Sequence, residues 1–250
     1  MTLPPPPYDN KVAYGDGPFH FGYLRLPKSP GPHPVAVVIH GGFWRAAFDL
    51  EHSGHLCAAL TRAGLATWSL EYRRIGNPGG GWPGTCEDIL RGAEYVRTLA
   101  AKYPLNASRM IAIGHSAGGQ LALWLASQRK PRLRGAVSLA GVADLRRAWD
   151  LHLSNTVVGE LMGGSPAERP EEYKKASPIE RVPLGTPSRM IHGDADDVVP
   201  IEISERFAES ASRSGDDAKL IRLKGADHFA VIDPRSTEWA TVEQTVLGLI

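Results

Sequence analysis

Two cysteines in 250 residues, Cys57 and Cys86, cannot supply a disulfide framework, and their spacing fits neither a zinc site nor a C-x-x-C redox pair. Reduced, packing thiols in a cytosolic protein are the simplest account, with a single disulfide left open. An excess of either charge is also missing: 28 basic residues face 27 acidic ones, for a net +1, and no basic run occurs. That balance argues against nucleic acid or an anionic membrane as the main partner. No apolar stretch approaches the roughly 18 residues needed to cross a bilayer. The first residues, M-T-L-P-P-P-P-Y, lack both the cationic and the apolar segment of a secretion signal, so a cytoplasmic location is expected. With no internal repeat and no linker, residues 1–250 read as one α/β domain, able to bury roughly 70–75% of its unfolded surface without staples.

What the chain does have is alternation. Residues 1–18, rich in Pro and Gly, read as an extended arm, and residues 19–26 as an edge strand. V-A-V-V-I at 35–39 is uniformly apolar and β-branched, the pattern of a strand covered on both faces. Helix-like periodicity over 51–63, 86–103, 202–214 and 236–250 alternates with strand-like runs at 65–72, 110–113, 135–140, 188–191 and 218–223. Strands alternating with helices predict a mostly parallel central sheet with helices on both faces, an α/β class. Residues 144–185, polar and Pro-containing, do not fit the repeat and read as a lid-like insertion over one edge of the sheet.

At 110–120 the chain runs M-I-A-I-G-H-S-A-G-G-Q: a short strand, a cluster of small residues around Ser116, then a helix. This is the G-x-S-x-G nucleophile elbow, in which Gly114 and Gly118 stand where a Cβ would clash and the hydroxyl is presented at a helix N-terminus. A serine that merely caps the helix is the bland alternative on the pentapeptide alone. A serine hydroxyl near pH 7 needs a base, and the base an orienter. Of the nine histidines, His228 alone lies in the loop after the last strand and is the candidate base. His40, His115 and His192 also follow strands and are read as supporting their own turns. The acid is one of Asp194, Asp196 and Asp197; Asp194 leaves the strand earliest, and Asp197 suits a cap for the helix near Pro200. Oxyanion donors are expected from the Ala117 N–H and from Gly41-Gly42-Phe43, a loop that lets backbone approach a carbonyl closely. Phe43 and Trp44 read as a pocket wall at the sheet's carboxyl edge. Trp82, in G-G-G-W-P-G, reads either as a second wall or as an anchor for its loop.

Taken together, H-G-G-F-W at 40–44, G-H-S-A-G-G at 114–119 and H-G-D-A-D-D-V-V-P at 192–200 resemble the α/β-hydrolases, in particular the esterase/lipase branch with an H-G-G oxyanion motif. H-G-G-F-W and D-H-F at 227–229 are similar to kynurenine formamidase-like and small carboxylesterase members. The resemblance implies an α/β-hydrolase fold and selects Asp196 as the acid. Where many relatives carry a third glycine this chain has Phe43, so the second loop donor becomes the Phe43 N–H, beside Gly42 and Ala117. About 34 residues precede the 35–39 strand, little room for a helical cap.

The expected activity is a serine hydrolase cleaving a small carboxylic ester through Ser116, Asp196 and His228, with no metal and no organic cofactor. An arylformamidase acting on N-formylkynurenine, with Phe43, Trp44 and Trp82 on the aryl ring, is the first alternative. A peptidase, and a ligand-binding member of the fold without catalysis, are weaker ones. Partners are then small-molecule esters or amides, and a homodimer is left open.

Overall fold

The computed structural model describes residues 4–250. Eight strands form one sheet in the order β1-β2-β4-β3-β5-β6-β7-β8. They are β1 Asn10–Ala13, β2 Phe21–Arg25, β3 His33–Ile39, β4 Ala66–Leu70, β5 Leu105–His115, β6 Gly135–Leu139, β7 Ser188–Gly193 and β8 Ala218–Leu223. β1 and β2 pair antiparallel, and every pairing from β4 to β8 is parallel. The fold is that of the α/β-hydrolases.

The uniformly apolar strands are explained by what covers them. Along β3, Val35, Val37 and Ile39 enter one core cluster while Ala36 and Val38 enter another. β5 repeats the split, with Met110 and Ala112 on one face and Ile111 and Ile113 on the other. A strand with water on one side would alternate with polar residues; here both sides need hydrocarbon. One face is covered by α1 Gly54–Arg62, through Leu56, Cys57 and Leu60, and by α9 Trp239–Leu247, through Val242 and Val246. The other takes α2 Gly84–Glu94, α3 Val96–Ala100, α4 Ala117–Ala126 and α8 Glu202–Arg213. Gly64, at φ +100°, ends α1 as expected. Cys57 and Cys86 are both buried free thiols.

Two expectations change. The arm of residues 1–18 contains a strand, β1, so β2 lies second in the sheet rather than at its edge. N-K-V-A is too short and too polar to announce a strand; it is held by pairing to β2 and by Lys11 over the Phe21 ring. The arm before it is tied down by Arg25, whose guanidinium donates to the Pro6 and Pro7 carbonyls. Residues 1–3 of that arm lie outside the described residues. The single helix expected over 86–103 divides into α2 and α3 at Tyr95.

Residues 144–185 fold into α5 Leu145–Asp150, α6 Val157–Met162 and α7 Pro170–Ala176. Val157, Val158, Leu161 and Tyr173 from this segment are buried in the same cluster as α4 and α8. Arg147 and Asp144 pair with Glu202 and Arg206 of α8, and Trp124 of α4 donates its indole N–H to the Lys175 carbonyl. Among the described residues, no helix is long and apolar enough to cross a membrane.

Trp68 of β4 is fully buried and donates its indole N–H to the Gly92 carbonyl of α2 at 2.9 Å. Trp68→Ala leaves a cavity and an orphaned carbonyl, and should cost ~3–5 kcal/mol. A lower urea midpoint with an unchanged slope, their product falling by that amount, is the expected result.

Candidate functional site

The strand order brings the motifs together. After β3 the chain crosses to β4 on one side, then returns to β5 on the other, so the loops after β3 and β5 diverge around one crevice. Ligands in open α/β sheets bind at that switch point. The β3 loop carries Gly41 to Trp44, and the β5 loop carries Ser116. β7 and β8, paired in parallel, end side by side and deliver Asp196 and His228.

The elbow is as tight as its glycines suggest. Ser116 sits at φ 56°, ψ −121°, a region that costs a non-glycine residue about 1–3 kcal/mol and persists only where its surroundings hold it. A Cβ on Gly114 would lie 1.9 Å from the Gly118 carbonyl oxygen, and one on Gly118 would lie 2.1 Å from that of Ile39. The Ser116 N–H donates to the Leu139 carbonyl of β6 at 2.8 Å. Its carbonyl accepts from Gly119, Gln120 and Val142, which fastens the strained residue on both sides.

Beside it, Gly42, Phe43 and Trp44 take φ values of +104°, +50° and +55° in succession. This left-handed run turns the loop back on itself, with Arg45 N–H donating to the Gly42 carbonyl. Among the described residues, the N–H groups of Gly42, Phe43 and Ala117 donate to no carbonyl or side chain. A Cβ on Gly41 would lie 3.1 Å from Ser116 Cβ, so this loop runs directly past the serine.

Beneath the loop lies a buried charged network. His40 donates from Nδ1 to the Gly41 carbonyl and faces Glu71 Oε1 with Nε2. Glu71 also takes Arg74 at 3.1 Å and the N–H groups of Tyr72 and Leu50. Burial alone would raise the Glu71 pKa, but His40, Arg74 and the Tyr72 N–H together hold it below the usual carboxylate value. The Tyr72 hydroxyl donates to the His40 carbonyl at 2.8 Å.

On the opposite side, His228 donates from Nδ1 to Asp196 Oδ2 at 2.7 Å. The same oxygen receives His192 Nε2 at 3.1 Å, while Oδ1 takes the N–H groups of Val198 and Val199. Burial pushes the Asp196 carboxyl up, and these donors outweigh it, leaving the pKa far below the ordinary carboxylate range. Of the other two acids, Asp194 accepts from the Gly225 N–H instead. Asp197 does not cap the following helix: Ile201 occupies the α8 N-cap, with no side-chain cap. No hydrogen bond joins the Ser116 hydroxyl to the His228 ring among the described residues. Their segments are joined by His115, whose Nε2 donates to the His228 carbonyl at 2.9 Å.

The aromatic residues fall differently from expectation. Trp44 is 1% exposed, and its indole N–H donates to Gln120 Oε1 at 3.0 Å, which makes it a core anchor of the loop rather than an open wall. Phe43 is half-buried against the core. Trp82 packs edge-on against Trp124, ring centroids 6.2 Å apart, and its N–H donates to the Leu161 carbonyl. That contact lies about two helical turns along α4 from Ser116 and fits the anchor reading. The aromatics that do stand open are Phe48, 48% exposed and packed against Gly42, and Phe229, 51% exposed and edge-on to the His228 ring. Neither was singled out from the sequence as a wall; for Phe229, its place directly after Asp227-His228 was the available signal, whereas Phe48 lies past the H-G-G-F-W motif. Gln120, whose amide links Trp44 to the Ala176 carbonyl, carried no signal at all. Among the described residues, no group of three or more His, Cys, Asp or Glu could hold a metal ion.

This geometry belongs to the α/β-hydrolase class. Residues 24–210 match the BD-FAE family, and the chain is a member of it. It is 26% identical to esterase LipC of Mycobacterium tuberculosis, over 91% of this chain and 61% of LipC. It is 23% identical to the kynurenine formamidase of Drosophila melanogaster, over 93% of this chain and 78% of that protein. The chain spans about half the length of several other curated relatives it matches. Among solved structures, a truncated carbohydrate esterase from gut microbiota superposes with a TM-score of 0.86 at 23% identity, covering 99% of both chains.

Gly114→Ala forces a methyl into the Gly118 carbonyl, backbone against backbone, and should lower stability by ~4 kcal/mol or more, seen as a collapsed urea midpoint. Asp196 gives a pH signature. A carboxylate with a depressed folded pKa contributes stability above its unfolded value, about 3.9, and loses it as pH falls through the folded value. The stability gap between wild type and Asp196→Asn should therefore be flat above about pH 5 and narrow below about pH 4, by urea titration at each pH.

Proposed function

We propose that the chain is a serine hydrolase of the carboxylesterase type, acting on small carboxylic esters. The observation that carries this reading is the 2.7 Å Asp196–His228 hydrogen bond beside a serine held at φ 56°. Asp196 fixes the imidazole with its proton on Nδ1 and leaves Nε2 free to accept. Ser116 Oγ attacks the acyl carbon while His228 Nε2 takes the hydroxyl proton. The oxygen that becomes negative is met by the N–H groups of Gly42, Phe43 and Ala117, which have no other partner among the described residues. His228 then protonates the departing alkoxide, and water, activated by the same nitrogen, hydrolyses the acyl-enzyme. A Ser–His hydrogen bond tightens when substrate arrives, as is common for catalytic contacts that are long in the free enzyme. These steps need no metal or organic cofactor.

Esterase names among the relatives support the ester reading. A formamide reading, with cleavage of an aryl formamide, is favoured by one observation: the Drosophila kynurenine formamidase aligns over more of its own length than the mycobacterial esterases LipC and LipQ do. In either case the apolar side chains of residues 144–185 stay packed in the core around α4. A cytoplasmic location and small-molecule partners accord with this chemistry.

Ser116→Ala should abolish burst release of p-nitrophenol from p-nitrophenyl acetate, and unchanged turnover would sink the assignment. His228→Ala should lower kcat by ~10⁴-fold or more, since triad members act as a unit. Parallel kcat/KM measurements on acetate esters and N-formylkynurenine separate the two substrate classes: a formamide preference above about tenfold selects the second.

A further inference from the structure

The mechanism uses His228 and leaves two neighbouring histidines without a task. His115 is buried, with Nε2 2.9 Å from the His228 carbonyl and Nδ1 3.0 Å from His52 Nε2. The roles of these nitrogens follow from their partners. A carbonyl only accepts, so His115 Nε2 carries a proton. A neutral imidazole has a single N–H, so His115 Nδ1 is an acceptor and His52 Nε2 must supply the proton between them. Both rings are held neutral near pH 7. Burial is the largest cause for each; next come the neighbouring histidine charges, from His228 and His52 on His115, and from His40 and His228 on His52. His115 falls well below its ordinary value and His52 to about 4. The His52 and His115 rings are near-parallel, 23° apart, and Phe229 packs edge-on to His52 and His228 and tilted against His115, with centroids 5.2 to 6.3 Å away.

We propose that His52 and His115 are positioning residues for the base: a directed pair of imidazole hydrogen bonds, from His52 through the elbow to the His228 carbonyl, that sets where the His228 ring stands. This rests on His228 acting as the base. Asp196 fixes the ring from its Nδ1 side only, and a ring held at one atom can swing about it. Fastening the main chain of the same residue supplies the second point. Because that second hold comes from His115, adjacent to Ser116, it sets the base relative to the nucleophile itself. His52, in the 3₁₀ turn over 50–53, is the outermost link and decides which nitrogen of His115 carries the proton. Without that donor, His115 is free to adopt the other tautomer, which offers the His228 carbonyl a lone pair instead of an N–H.

The test compares His52→Gln, whose amide can still donate at the reach of Nε2, with His52→Leu, which has similar bulk and no donor. With p-nitrophenyl acetate as substrate, His52→Leu should lower kcat by ~10- to 100-fold with KM within about twofold, the mark of a displaced catalytic group. His52→Gln should stay within about threefold of wild type, because it restores the donor. Wild-type kcat in His52→Leu, or equal losses in both variants, overturns the proposal. A second readout does not depend on activity. Long-range proton–nitrogen spectra of the histidine rings at pH 7 should show His115 as the Nε2–H tautomer in wild type and His52→Gln, and as a mixture in His52→Leu. An Nδ1–H His115 in wild type overturns it as well. If wild-type protein hydrolyses neither ester nor formamide, the reading of function fails, while the spectra still decide the hydrogen-bond chain.

Discussion

The constraint on which the rest depends is a contact between backbones. Gly114, at the end of β5, passes so near Gly118, in the first turn of α4, that no side chain fits between them, and Gly118 passes equally near Ile39 of β3. Two strands and one helix thus converge within van der Waals contact around a single serine. The helix has to start there, its first N–H groups have to point into the crevice, and Ser116 has to take a left-handed conformation. Such strain persists only because every polar atom of the Ser116 backbone is bonded to β6 or to its own helix and loop.

From that contact, topology supplies the remainder. β3 lies against β5, so the left-handed run from Gly42 to Trp44 arrives next to the elbow without any long connection. Arrayed on the other side, β6, β7 and β8 end at the same edge. Asp196 and His228 then meet because their strands are neighbours, although 32 residues separate them. Each loop is held from below by a buried polar group: Glu71 with His40 and Arg74 under the Gly41–Trp44 loop, and His192 under Asp196. Breaking a buried ion pair by removing one partner costs about 3–5 kcal/mol, so these loops are held in place at the level of the fold's own stability.

Much of this was legible in the residues. The β-branched runs of β3 and β5 required cover on both faces, and G-H-S-A-G-G required the elbow, because only one backbone path suits those glycines. The Ser…Asp…His order was readable as well, since each candidate followed a strand. What could not be read was contact at long range. N-K-V-A forms β1 only because β2 offers it an edge. Trp44 looks like a pocket wall in sequence, next to two glycines, yet its indole N–H has a buried partner in Gln120 that no local pattern announces. Three aspartates within four positions looked alike, and it is their neighbours in space, the Gly225 N–H for Asp194 and His228 for Asp196, that separate them.

The same distinction separates the exposed aromatics from the rest. Side chains that build the site are buried and satisfied, and substitution there is punished through stability before chemistry is reached. Phe48 and Phe229 differ, because each is half-exposed while its main chain is fixed, the Phe48 N–H donating to the Arg45 carbonyl and the Phe229 N–H to Asp227 Oδ1. Leaving a large ring in water forgoes roughly 1.5–3 kcal/mol of burial that a bound ligand can recover. One ring packs against the Gly42 turn and the other lies edge-on to the His228 ring. Both rings therefore stand where the core does not constrain them, while the elbow glycines, Asp196 and His228 are held by the sheet and by their buried partners.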